Sequence, residues 1–518
     1  MAVPTSDPFN LTRPRLSERT SAPAADTALV TALAVAGFMA LTILGTLVIG
    51  RTAAFASQAV LAAAILYCAA SQPSRSLPLF IGYVALEGLY KYTSGFSQAV
   101  YVVKPLLEFS LLVGLLQANR HHARALQTPP LAVLVAALGG WSIIEVFHPL
   151  SSGIAQGFSQ TIVWYLAPMS LLWTGFNVVR STRQIETLCY TLVAVSVVVS
   201  LFAVVQYQMG QAWTEVHLPG YKVINQGEWV VTDSNGALLS VSWRPASTTA
   251  AGGGGALWAM WGSAVAMGLL LSDKIKATWK VLLLVSLSIN AYGIILSGAR
   301  LFLIIAMLQA IFLFAVLARS PRELARNLGV ALLVGAMVWV GFTAAQTTSG
   351  GIITNRYADT LSNPLAKYGH DRGGVDGRAA ILFNMLGPYP LGVGYQRGFE
   401  GAATRSKTVV GFYVNRDDAF NSIAGDMGWP GLLLVLCLVP AILARGWRSF
   451  QALKTVHRRI LGGIFFALII GYLTCFFGGP ALTGADMFWL FLGLMLVQPV
   501  VQQRERLPAA APTAGAAP

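Results

Sequence analysis

Residues 28–50 read ALVTALAVAGFMALTILGTLVIG, without one charged side chain, between Asp26 and Arg51. A helix rises about 1.5 Å per residue and bilayer hydrocarbon is about 30 Å thick, so about 20 apolar residues cross it. This stretch is long enough. Comparable runs follow at 52–70, 77–95, 98–117, 130–147, 161–179, 187–208, 247–271, 278–297, 300–318, 327–345, 419–444, 460–478 and 485–501. Composition agrees: over 518 residues the chain is 55% hydrophobic and 11% charged, with mean hydropathy +0.63, too apolar for a soluble domain. The alternating ten-residue segments of a membrane barrel do not occur. The fold class expected is therefore an all-α polytopic membrane protein with about 14 transmembrane helices (12–14) and one large outer loop containing short helices.

The divisions follow from the runs. Residues 1–27 form a polar tail leading straight into the first run, so no cleavable signal peptide is expected. Transmembrane helices then occupy 28–208, 247–345 and 419–501, separated by loops at 209–246 and 346–418 and followed by a tail at 502–518. Cys68, Cys189, Cys437 and Cys475 all fall inside apolar runs without ligand spacing, and read as packed small side chains, neither disulfide nor metal ligands. The third and fourth runs are interrupted by Glu87, Lys91, Lys104 and Glu108. Intramembrane charges face a bundle interior or polar cavity; alternatively these runs form an interfacial or gating element.

Short basic loops set the orientation. RHHAR (120–124), RSTR (180–183), DKIKATWK (273–280), RSPRELAR (319–326), RGWRSFQALKTVHRR (445–459) and QQRER (502–506) alternate with poorer loops, and so read as cytoplasmic together with both termini. The net charge of +14 is then mostly the usual cytoplasmic bias, and no nucleic acid is needed to explain it. One segment breaks the rule. From Gln346 to Arg416, on the opposite side, eight basic residues (Arg356, Lys367, Arg372, Arg378, Arg397, Arg405, Lys407, Arg416) stand against four acidic ones (Asp359, Asp371, Asp376, Glu400). Cations are wanted there for something other than topology.

Four constellations fall on that outer side. SWRPASTT (242–249), followed by Gly252 to Gly255, places Arg244 at the mouth of the eighth run; its glycines suit close helix packing. SGAR (297–300) puts Arg300 at a tight turn, either as a headgroup-level arginine or as an anion ligand at a helix start. DGR (376–378) opens a short apolar run that ends in PYPLGVG (388–394), a Pro/Gly-defined turn. RDDAFN (416–421) leads through GDMGWPG (425–431) into the twelfth run. Asp417 and Asp418 there either cap the helix or supply a general base among arginines.

SGAR, then GR followed by PLGVG, then DDAFNSIAGDMGWPGLL, together with RPASTTAAGGGG upstream, resembles the signature of the O-antigen ligase and Wzy-type polysaccharide polymerase superfamily. The resemblance covers roughly residues 240–445. It implies a membrane glycosyltransferase of the bacterial inner membrane, active on its periplasmic face, without metal or other cofactor. Its implied partners are an undecaprenyl-pyrophosphate-linked glycan donor, a glycan or lipid acceptor, the bilayer and other polysaccharide-assembly proteins. Carried over by position, Arg244, Arg300, Arg378 and Arg397 would bind pyrophosphate, since guanidinium offers paired donors to phosphate oxygens. Asp417 and Asp418 stand where the ligases carry His-Asn, so Asp417 is the first candidate base and His370, in YGHDRGG, the alternative. Polymerisation of repeat units is the reaction expected first and ligation to lipid A-core the second. A lipid-linked oligosaccharide flippase or secondary transporter is a third reading, against which no matching pair of interrupted helices occurs in the two halves.

Overall fold

The computed structural model describes residues 22–121, 126–151, 153–221, 228–232, 238–249, 254–318, 320–349, 357, 382–395, 419–475 and 485–506. Four helices come first: α1 (Ala22–Ile49), α2 (Arg51–Ser71), α3 (Pro73–Thr93) and α4 (Gln98–His121). Next, α5 (Ala132–Ile144) closes in a 3-10 turn, Glu145–Phe147, and α6 (Ile154–Thr161) runs through a π turn, Ile162–Leu166, into α7 (Ala167–Val178). Ser181 caps the N-terminus of α8 (Thr182–His217), its hydroxyl accepting from Gln184 N while the Gln184 side chain accepts from Ser181 N. Strands β1 (Glu228–Thr232) and β2 (Leu238–Trp243) form an antiparallel ribbon. The remaining helices are α9 (Gly255–Leu270), α10 (Ala277–Leu296), α11 (Arg300–Val316), α12 (Pro321–Ser349), α13 (Ala419–Gln451), α14 (Val456–Thr474) and α15 (Asp486–Arg504).

Eight of these, α1, α2, α4, α8, α10, α12, α13 and α14, are long and apolar enough to cross a membrane, and three shorter ones, α5 with its turn, α9 and α11, are apolar. The chain is thus a helical protein built as a multi-pass membrane bundle. Helices α9 and α15 sit at its centre: α9 packs against α8, α10, α11 and α14, and α15 against α7, α13 and α14. Helix α9 and the stretch of α15 from Met487 to Val497 are apolar on every side, which is why they are enclosed. Phe488 to Leu492 of α15 are entirely buried. By contrast α12 exposes Leu324, Leu328, Leu332 and Trp339, an apolar face suited to lipid. Where α15 crosses α7, a Cβ on Gly175 would lie 2.8 Å from Leu490 O, and one on Gly493 2.6 Å from Leu172 O. Only paired glycines allow that approach, and dispersion across it replaces the hydrophobic drive that lipid cannot supply.

The bundle has two distinct ends. At one, the short basic loops meet: Arg180 Nη2 donates to Asn119 Oδ1 (3.1 Å), Thr182 Oγ1 to Glu505 Oε2 (2.9 Å) and Arg326 to Asp273 (3.0 Å), and Ser272 pairs with His457 Nδ1 (3.0 Å). At the other, Gly220 N donates to Tyr92 O (2.8 Å) and Leu89 N to Thr248 O (3.1 Å), joining the end of α3 to the α8–α9 connection. The second is the loop-rich end.

The structure departs from the sequence reading in three places. The region 209–246, expected as loop in an all-α fold, holds the β1–β2 ribbon, in which Glu228 pairs with Trp243. Helix α8 does not stop at 208: Gly210 takes φ 86° and kinks the chain, and helix resumes to His217. The run beginning at 247 does not start as helix, because Ser247 adopts φ 57° and its N–H donates to Gln206 Oε1 (2.7 Å). That irregular backbone is satisfied by protein groups, the condition for irregular backbone within a bundle.

Candidate functional site

Arg244 leaves the end of β2 and reaches across to the α10–α11 turn, where its Nη2 donates to Gly298 O at 3.1 Å. Gly298 has φ 63°, a left-handed conformation that lets α10 reverse into α11 within three residues. Arg300 opens α11 two residues later, half-buried like Arg244. The Tyr221 hydroxyl donates to Arg244 O (2.7 Å), and burial pushes that phenol up to about 12, so it remains a donor. Tyr357 donates to Ile294 O (3.1 Å) just below the turn. Two arginines distant in sequence therefore share one corner of the loop-rich end, beside a helix start whose dipole favours anions.

A second assembly is built on the α13 kink. Gly428 has φ 62° inside α13, and the 388–394 turn packs into the gap this opens: Val393 N donates to Gly425 O and Trp429 N to Pro390 O, both at 2.8 Å. A side chain at Gly428 would collide with the backbone of Leu391 and Pro390. Next to it, the buried Asp426 accepts from Tyr165 Oη (3.2 Å), and Tyr395, its ring 6.1 Å from that of Tyr165, donates to Ser142 O (2.9 Å). Burial raises the Tyr395 phenol far above its ordinary range, which keeps it a donor too. Trp141 Nε1 donates to Met427 O (3.0 Å), bringing α5 and the buried Glu145 to the same place. His148 follows, its Nδ1 accepting from Leu150 N (3.2 Å); burial lowers its pKa, consistent with a neutral ring. The π turn carries Tyr165, an irregularity of the kind that re-aims side chains at functional positions.

A third assembly holds the intramembrane charges. Lys91 pairs with Glu87 (2.6 Å), and Lys104 with Glu87 (3.5 Å) and Asp486 (2.9 Å). Lys91 also lies over the Tyr101 ring, 4.3 Å from its centroid. Glu108 is entirely buried on α4. These groups face the interior between α3, α4 and the start of α15. Buried ions of this kind are retained for position or function more often than for net stability.

Of the expected site residues, the structure places Arg244 against the turn that leads into Arg300, whereas Asp417, Asp418, His370, Arg378 and Arg397 lie outside the described residues. Helix α13 begins at Ala419, directly after the two aspartates in sequence. Sequence reasoning missed Tyr165, Tyr395, Glu145 and Asp486. Glu145 and Asp486 carried a usable signal, each being an isolated carboxylate at the edge of an apolar run; the tyrosines carried none. No protein-family model matches the chain, and no curated protein matches it.

Proposed function

We propose that this chain is a membrane glycosyltransferase that polymerises polyprenyl-pyrophosphate-linked oligosaccharide repeat units on the outer face of the bacterial inner membrane. In this reading fourteen helical rods span the bilayer, α6 and α7 counting as one, with the basic end cytoplasmic. The observation that carries it is the hydrogen bond from Arg244 to Gly298 O, which ties the SWRPAS segment to the SGAR turn, two residues before Arg300. The loop 346–418, with its excess of arginine and lysine, leaves α12 and returns into α13, adding Arg378 and Arg397.

The chemistry needs few parts. Pyrophosphate is already a good leaving group, so the site has to neutralise the charge that grows on it and to activate the acceptor. The acceptor hydroxyl gives its proton to a base, Asp417 in first place and His370 in second, while its oxygen attacks the anomeric carbon opposite the pyrophosphate. The carbon–oxygen bond to pyrophosphate breaks with its electron pair, the arginines receive the polyprenyl pyrophosphate, and the anomeric configuration inverts. The residues fit this without a metal or nucleotide.

Arginine variants test it. Arg244→Lys and Arg300→Lys keep the charge and lose the planar fork, so each should cut turnover of a lipid-pyrophosphate donor at least tenfold, about 1.4 kcal/mol, at unchanged membrane abundance. Full turnover in both variants would remove the pyrophosphate clamp. Transfer seen only when a lipid A-core acceptor is supplied would move the assignment from polymerase to ligase.

A further inference from the structure

A lateral cavity in the described bundle lies at the other end from the arginine corner. It is a crevice of about 770 Å³ between α1, α2, α3 and the start of α8. Its walls are apolar: Phe38 and Met39 from α1, Leu61 and Ala64 from α2, Leu77 and Pro78 from α3. Met39 is wholly buried, whereas Val30 and Val60 on the rim are 62% and 59% exposed, so the crevice opens sideways, between α1 and α2, toward the surrounding hydrocarbon. Along α1 it runs from Thr27 to Met39, about 18 Å at the helical rise, a little more than half of a hydrocarbon layer about 30 Å thick. That is the depth of one leaflet.

Its mouth is cationic. Arg75, near the start of α3, and Arg183, near the start of α8, line it together with Gln184 and Ser74, and no carboxylate is among its described lining residues. Both arginines are exposed. They stand at the basic end of the bundle, beside Ser181 and Thr182. Arg183 is sixteen residues along α8 from Val199, whose carbonyl accepts from Ser247 Oγ at 2.5 Å. At the helical rise that separation is about 24 Å, so the crevice and the arginine corner are separate sites. An apolar slot one leaflet deep, open to lipid and headed by two guanidiniums, has the form of a site for one lipid tail with an anionic headgroup.

We propose that this crevice binds an anionic glycerophospholipid from the leaflet at the basic end, with one acyl chain between α1, α2 and α3 and its phosphate at Arg75 and Arg183. The bound chain would fill space that α1 leaves against α2 and α3 and so fasten the first helix to the bundle. The inference stands on the crevice and its charges, independently of the catalytic reading.

Native mass spectrometry of the full-length protein in detergent tests it, with phosphatidylglycerol and phosphatidylcholine of matched chains as probes. Phosphatidylglycerol should be retained roughly thirtyfold more strongly, as expected for two arginines at a headgroup. The double variant Arg75→Gln/Arg183→Gln, altered only at exposed positions, should reduce that to the phosphatidylcholine level. Ala64→Phe, which fills the slot, should weaken both lipids. Equal retention of the two lipids by the unaltered protein, or undiminished phosphatidylglycerol binding in the double variant, would overturn the proposal. So would a polyprenyl phosphate that displaces phosphatidylglycerol at equal concentration, which would assign the slot to the carrier. A double variant that shifts the monomer–dimer ratio with no change in lipid retention would assign the face to a second copy and equally overturn it.

Discussion

Lys104 is held between two carboxylates, 2.9 Å from Asp486 and 3.5 Å from Glu87, with almost no exposure to solvent. Removing it leaves both carboxylates buried near each other. Lys104→Met should therefore destabilise the protein by about 3–5 kcal/mol, the range for breaking one side of a buried ion pair. Thermal unfolding in detergent, followed by size-exclusion chromatography, reads the loss; an unchanged melting profile would show that the cluster is solvated. Glu87, Lys91, Lys104 and Glu108 were legible in the sequence, because a charge inside an apolar run is conspicuous. Their partner was not: Asp486 stands 382 residues from Lys104, and no spacing links them. Arg244 and Arg300 were legible as arginines at the ends of apolar runs, whereas the contact from Arg244 to the Gly298 carbonyl depends on how β2 delivers the chain.

The run that becomes α13 was readable from its apolar length, and its start at Ala419 agrees with the helix Ala419–Gln451, but the kink at Gly428 inside it was not foreseen. What the kink receives was not readable, since the 388–394 turn reaches it through two backbone hydrogen bonds that leave no trace in side-chain pattern. Gly428→Ala places a Cβ against the Leu391 and Pro390 backbone at a left-handed φ, a cost of about 1–3 kcal/mol from the backbone alone. The expected outcome is an assembled protein whose 388–394 segment is cleaved by chymotrypsin, after Leu391, much faster than in the parent. Unaltered cleavage would mean that the turn is held by something other than α13. The ribbon β1–β2 escaped the sequence reading because a short paired segment inside a connecting loop has no period long enough to stand out. The α9 start at Gly255 escaped it for a different reason: a hydropathy run carries no sign that Ser247, at its beginning, takes φ 57° and is not helical.

At the scale of the molecule, the alternation of basic loops anticipated which loops share an end. Residues 119, 180–186, 272–273, 457 and 505 meet there through hydrogen bonds and ion pairs. Which membrane face that end meets is a matter for labelling. In a background with its four cysteines replaced, Thr347→Cys and Leu391→Cys, both at exposed positions, should react with an impermeant maleimide in spheroplasts, and Lys274→Cys only after lysis. The reverse pattern would put the arginine corner in the cytoplasm and remove the polyprenyl-linked donor from its reach. Among the described residues eight helices satisfy length and composition for crossing a membrane, and the others reach the bundle by different means. Helix α3 carries charge because α15 neutralises it, α7 begins from a π turn, and α15 is enclosed by protein on every side. A hydropathy count counted runs, and it could not foresee which would be solvated by other helices.

Transfer of glycan from a polyprenyl pyrophosphate at an arginine-built site, as proposed, is tested directly by one assay. Purified protein in liposomes would be given a single lipid-pyrophosphate-linked oligosaccharide, without any other acceptor and with excess EDTA, and the products resolved by size. The account predicts a ladder of lengths in whole repeat units, with one polyprenyl pyrophosphate released per bond formed, and with the ladder strongly reduced in Arg244→Lys. A donor left intact by the folded wild-type protein, both alone and with a lipid A-core acceptor, would contradict it.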